Sequence, residues 1–138
     1  HCPSHQASCN MEGRLMKNKP VKKNVVKRSV RNVGLEDYIR RQKAFSKVTY
    51  GPGQRVKGVA QHIMKELVEV HQAIKDGEDP MPEWVDIAIL AIDGAWRSGS
   101  SPARIAGQFE RKLSINMKRK WPDWRKVGEG KAIEHIKD

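Results

Sequence analysis

The chain has 138 residues, 38% hydrophobic and 31% charged, with a formal net charge of +11. That length suffices for one domain with its own core, and no apolar run approaches the roughly 18 residues of a membrane-spanning helix. The longest run, at 84–95, is interrupted by Asp86 and Asp93, and the polar start shows no secretory signal, so a cytoplasmic protein is expected.

The basic excess is unevenly spread. Residues 11–31 carry Arg14, Lys17, Lys19, Lys22, Lys23, Lys27, Arg28 and Arg31 against Glu12 alone, which leaves only +4 of the +11 for residues 32–138. Residues 1–31 mix Lys, Asn and Pro20 without helical period and read as a flexible basic tail. His1, Cys2, His5 and Cys9 fall in the same segment, but their spacing matches no common zinc module, so an irregular leader is expected there. Residues 32–138 form the expected folded domain.

A first helix is predicted over 35–47, with Leu35, Ile39 and 42–45 at helical intervals. Gly51, Pro52 and Gly53 punctuate the loop that follows. The second helix, 56–75, carries an apolar stripe of Val59, Ile63, Leu67, Val70 and Ile74, with His62, Glu66, Glu69 and Ala73 in a row beside it. Gly77 and Pro80 mark its end. The third helix, 82–98, is apolar almost all round and is expected at the centre. After the break at 98–101, Ser101 and Pro102 open a fourth helix to about residue 120, with Ile105, Phe109, Leu113 and Met117 facing inward. An irregular C-terminal arm follows. Nothing reads as a strand, so the fold class is all-α.

Two acidic pairs stand out, Glu66-x-x-Glu69 and Glu83-x-x-Asp86. Residues three apart share a helix face, and a tight connection makes consecutive helices antiparallel neighbours. Four carboxylates directed at one space repel unless a cation lies among them. Oxygen-only ligands select Mg²⁺ or Mn²⁺ over zinc, and Mg²⁺ sites usually include substrate phosphates. The structural alternative is that these acids pair with Lys or Arg, or cap the third helix. Arg55, Lys65 and the row Lys112, Asn116, Arg119 supply donors for a polyphosphate. A solvated basic face is the plainer reading of that row. Phe45, Tyr50, Trp84, Trp121 or Trp124 could stack on a base or fill the core.

The acidic spacing resembles the metal motif of MazG-like all-α nucleoside triphosphate pyrophosphohydrolases, Glu-Glu-x-x-Glu then Glu-x-x-Asp, with Lys65 at the first position. Further segments are similar to one branch, the dATP/dGTP diphosphohydrolases of bacteriophages. They are Gln42-x-x-Phe45-Ser46, Thr49-Tyr-Gly-Pro-Gly53-x-Arg55, His62-x-x-Lys65-Glu66-Leu67, Asp93-Gly-Ala-Trp96-Arg97, Lys112-x-x-x-Asn116-x-x-Arg119-x-Trp121-Pro-Asp-Trp124 and Lys131-Ala-Ile-Glu-His135.

The resemblance implies a four-helix bundle that assembles as a dimer or tetramer, with sites completed across subunits. It implies hydrolysis of purine deoxynucleoside triphosphates to monophosphate and pyrophosphate, shaping a phage dNTP pool in the host cytoplasm and serving 2-aminoadenine genomes. Glu66, Glu69, Glu83 and Asp86 would hold two or three Mg²⁺ ions, with Mn²⁺ able to substitute, and Glu66 or Glu69 would orient the water. Gln42, Ser46, Gly53 and Arg55 become candidates for the purine side and Lys112, Asn116 and Arg119 for the phosphates and sugar, with Lys65 and Trp121 as further substrate-binding candidates. Asp93, on the same face as Asp86, would support a ligand from behind. A noncatalytic basic nucleic-acid-binding module is the rival reading, in which the tail makes the main contact.

Overall fold

The computed structural model describes residues 34–137. The basic tail and its His and Cys residues lie outside the described residues. Among the described residues the elements are α1 (Leu35–Tyr50), α2 (Val56–Asp76), α3 (Met81–Arg97), α4 (Pro102–Lys118) and a short 3-10 turn at Trp124–Lys126, with no strand. The all-α four-helix reading holds.

Local chemistry explains the boundaries. The first turn of α1 is acidic, and Glu36 pairs with Arg40 and Asp37 with Arg41 one turn on. The helix runs three residues past the expected stop at 47, because β-branched Val48 and Thr49 lower propensity without breaking a helix. Gly51, at φ +86°, ends it. At the end of α2, Gly77 takes φ +70° while its N–H reaches Ile74 O and that of Glu78 reaches Ala73 O. These two bonds form a Schellman cap. Ser101 Oγ accepts from Arg104 N, so α4 begins where its cap residue dictates. It stops at Lys118, two residues before the expected end. The C-terminal arm is tied back by Ile136 N–H donating to Lys120 O.

The core sits where α1, α3 and α4 meet: Ile39, Ile92, Trp96 and Ile105, with Tyr38, Ala95 and Ala106 around them. Truncating Ile39 to Ala there would cost about 2–5 kcal/mol. The second helix lies apart from this cluster and packs on α3 alone. Gly94 faces α2 at this seam: a Cβ there would stand 3.5 Å from Val59 Cγ1, an ordinary contact distance, so the approach does not depend on glycine.

The buried face of α2 differs from the expected stripe. Glu66, Val70 and Ala73 are buried, whereas Leu67 and Ile74 are exposed. Likewise Phe109, Leu113 and Met117 of α4 and Trp84 and Val85 of α3 are largely exposed. Each chain has more apolar helix face than its own neighbours cover. With no contact between α1 and α2, a gap opens over α3 between them.

Candidate active site

That gap is a cleft of about 410 Å³. Its lining comes from α1 (Gln42, Phe45, Ser46, Tyr50), the loop (Arg55), α2 (Gly58, Val59, His62, Glu66) and α3 (Asp86, Ile89, Leu90, Asp93, Arg97). Thus α3 supplies the floor and α1 and α2 the walls. Eight of the sequence-derived candidates share this space: Gln42, Phe45, Ser46, Tyr50, Arg55, Glu66, Asp86 and Asp93.

The acids have unequal surroundings. Glu66 is 7% exposed and its Oε1 lies 2.9 Å from His62 Nε2. Asp86 is exposed and makes no hydrogen bond or ion pair among the described residues. Glu83 places Oε2 in a buried position with no hydrogen-bond partner. Glu69 is outside the cleft lining and pairs with Lys65 Nζ at 3.5 Å, so Lys65 here serves the neighbouring acid. Among the described residues no three His, Cys, Asp or Glu side chains gather closely enough to enclose a metal. The donor set nonetheless fits a hard cation: all four are carboxylates, one buried oxygen is orphaned, and Glu66 is buried with no Lys or Arg in ion-pair range among the described residues.

Other walls of the cleft are aromatic or amide. Phe45 and Tyr50 stand edge to face, ring centroids 6.1 Å apart, both more than half exposed. Gln42 donates from Nε2 to Ile89 O at 2.7 Å, which fixes its side chain against α3 and leaves Oε1 buried without a partner.

The row on α4 lies elsewhere. Lys112, Asn116, Arg119 and Trp121 do not line the cleft of their own chain. Asn116 Oδ1 accepts from Arg119, and Asn116 O accepts from the indole N–H of Trp121. Arg119 also borders a second, basic hollow with Lys118, Lys120, His135, Ile136 and Lys137.

The residue that sequence reasoning left without a role is Arg97. It is 4% exposed and bonds Asp93, Ser46 and the carbonyls of Gly51 and Gly53. Asp93 accepts from both Arg97 Nε and Trp96 Nε1, so its two oxygens are engaged inside the fold. The helical spacing of Asp93 and Arg97 was a signal for this pair; the loop carbonyls have none.

A family model described as dATP/dGTP pyrophosphohydrolase matches residues 38–138, which takes in all four helices but the first three residues of α1. The chain belongs to that family. It is a nucleoside triphosphate pyrophosphohydrolase, and the noncatalytic reading falls. No curated protein and no solved structure matches. No helix among the described residues is long and apolar enough to cross a membrane.

Proposed function

We propose that the enzyme hydrolyses dATP and dGTP to the monophosphate and pyrophosphate in the cleft between α1 and α2, with Glu66, Glu69, Glu83 and Asp86 as the ligands of two or three Mg²⁺ ions. The observation that carries this reading is a buried carboxylate, Glu66, sharing a cleft with an unpaired one, Asp86, and with an aromatic pair and an idle guanidinium. Divalent cations, when bound, supply charge neutralisation for the phosphate oxygens and lower the pKa of water.

The chain's own groups do the rest. Water oxygen bonds to the α-phosphorus, the bond from that phosphorus to the α–β bridging oxygen breaks, and pyrophosphate leaves with that oxygen. Glu66 or Glu69 orients the water and takes its proton. Arg55 donates to the phosphates as their charge shifts toward the leaving group. Phe45 and Tyr50 present ring surface to the purine, and Ser46 and Gln42 border it. Lys112, Asn116, Arg119 and Trp121 serve a cleft of a second subunit, since they lie away from their own. The activity shapes the purine dNTP pool of an infected cell, including supply for 2-aminoadenine genomes.

Incubation with each dNTP and Mg²⁺ or Mn²⁺, with pyrophosphate and orthophosphate separated, tests the reaction. Pyrophosphate with dAMP or dGMP is expected. Orthophosphate as the sole first product would show attack away from the α-phosphorus.

A further inference from the structure

We propose that Arg97 is a positioning residue for this cleft: it pins the 51–55 loop, and the contribution of Arg55 to nucleotide binding depends on that pin. The inference rests on the function proposed above.

Every N–H of the Arg97 guanidinium is engaged. Nε donates to Asp93 Oδ2 at 2.6 Å, Nη1 to Gly51 O at 3.0 Å and Gly53 O at 2.6 Å, and Nη2 to Ser46 Oγ at 2.8 Å and Ser46 O at 3.5 Å. One planar group therefore joins the floor helix, the last turns of α1 and the loop. The loop has little else to hold it. Gly51 and Gly53 lack side chains and Pro52 lacks an N–H. The one backbone bond at its start, Gly51 N–H to Lys47 O, belongs to the end of α1.

Arg55 closes the loop at φ +43°, the sole non-glycine residue with positive φ among the described residues. That conformation costs an L-residue roughly 1–2 kcal/mol. Its side chain lines the cleft yet makes no hydrogen bond or ion pair among the described residues. The Arg55 carbonyl opens α2 by accepting from Val59 N at 3.0 Å, but its side chain takes no part in that, and a strained backbone that sets an idle guanidinium at a cleft points to a ligand. The pinned carbonyls of Gly53 and Gly51 stand two and four positions before the strained residue in the same loop. A lysine at 97 would keep the charge but lose the planar five-donor fork that reaches both carbonyls.

The test is a double-mutant cycle on R97K and R55A, read as KM and kcat for pyrophosphate release from dATP. Each single variant is expected to raise KM about tenfold. The double variant should be no worse than the weaker single, because an unpinned Arg55 has already lost its placement. A product of the two effects, about hundredfold, would overturn the inference, as would R97K with unchanged KM and a kcat that only tracks folded protein. Should R97K fail to fold by circular dichroism, G51A takes its place. A Cβ at 51 meets nothing within 4 Å but is strained at φ +86°, so it loosens the loop and leaves the buried charges alone. The same cycle read by calorimetry as affinity for the non-hydrolysable α,β-imido analogue of dATP with Mg²⁺ separates the two questions. Absence of turnover in the wild type would sink the proposed function, while the affinity cycle still decides the role of Arg97.

Discussion

His62 Nε2 lies 2.9 Å from Glu66 Oε1, one turn earlier on α2, and is the sole polar partner of that carboxylate among the described residues. The imidazole is half exposed while the Glu66 side chain is 9% exposed. A buried carboxylate without a Lys or Arg is a cost to the metal-free fold. Glu66→Gln is therefore expected to leave the melting temperature in EDTA unchanged or raised. It should also abolish the rise that Mg²⁺ gives the wild type, and lower kcat on the order of 10²-fold or more. Differential scanning fluorimetry with and without Mg²⁺ checks it. A variant that unfolds in EDTA would make Glu66 a structural residue.

Glu83 and Asp86 sit three residues apart on α3, one with a buried orphan oxygen and the other unpaired at the cleft. Among the described residues neither has the Lys or Arg partner that a purely structural role would give it. If both bind cations, Glu83→Gln and Asp86→Asn should each weaken Mg²⁺ binding at least about tenfold, since affinity follows the number of charged ligands. Isothermal titration measures this directly. Affinity equal to that of the wild type in both would return the two acids to helix-end electrostatics.

Asp93 separates a buried ion pair from the surface ones. Its pair with Arg97 joins side chains 9% and 1% exposed, at 2.6 Å. Asp93→Ala leaves that guanidinium without its counter-charge and is expected to cost about 3–5 kcal/mol. In a domain of this size that lowers the melting temperature by more than about 10 °C. Asp37→Asn, breaking an exposed pair with Arg41, should cost less than about 1 kcal/mol. Urea titrations of the two variants provide the comparison. Equal losses would mean that the Asp93 pair is no more buried in solution than the surface one.

The helices were legible because their punctuation is chemical: Gly51, Gly77, Ser101 and Pro102 stop or start the chain through φ preference, capping and a missing N–H. The acidic pairs stand out in the sequence because carboxylates on apolar helices require a reason, but that reason is the proposed metal site and not something the described residues display. Arg97 was not legible, because two of the partners that define it are backbone carbonyls 44 and 46 residues away, and carbonyls have no side-chain signature. Nor was the true inner face of α2. Periodicity shows that Leu67 and Ile74 form an apolar face, but not whether the covering surface belongs to the same chain. The α4 row gave a third difficulty: its spacing was right for one helix face, and only the fold shows that this face turns away from its own cleft.

Those uncovered faces carry the last prediction. Met64, Leu67, Val68 and Ile74 of α2 and Phe109, Leu113 and Met117 of α4 are all more than a third exposed. Apolar surface of this extent marks an association face. A second copy is its expected occupant, giving a dimer or tetramer. Light scattering should then report a multiple of 15.7 kDa for the wild type, and F109E/L113E should reduce it while leaving helicity intact. If Lys112, Asn116 and Arg119 serve the partner's cleft, E66Q and R119A chains, each with little turnover alone, should regain activity when mixed and allowed to exchange subunits. Each mixed pair can then contain one cleft with an intact Glu66 facing an intact Arg119. A wild-type mass of one chain, or a mixture no more active than its components, would place the whole site within a single subunit.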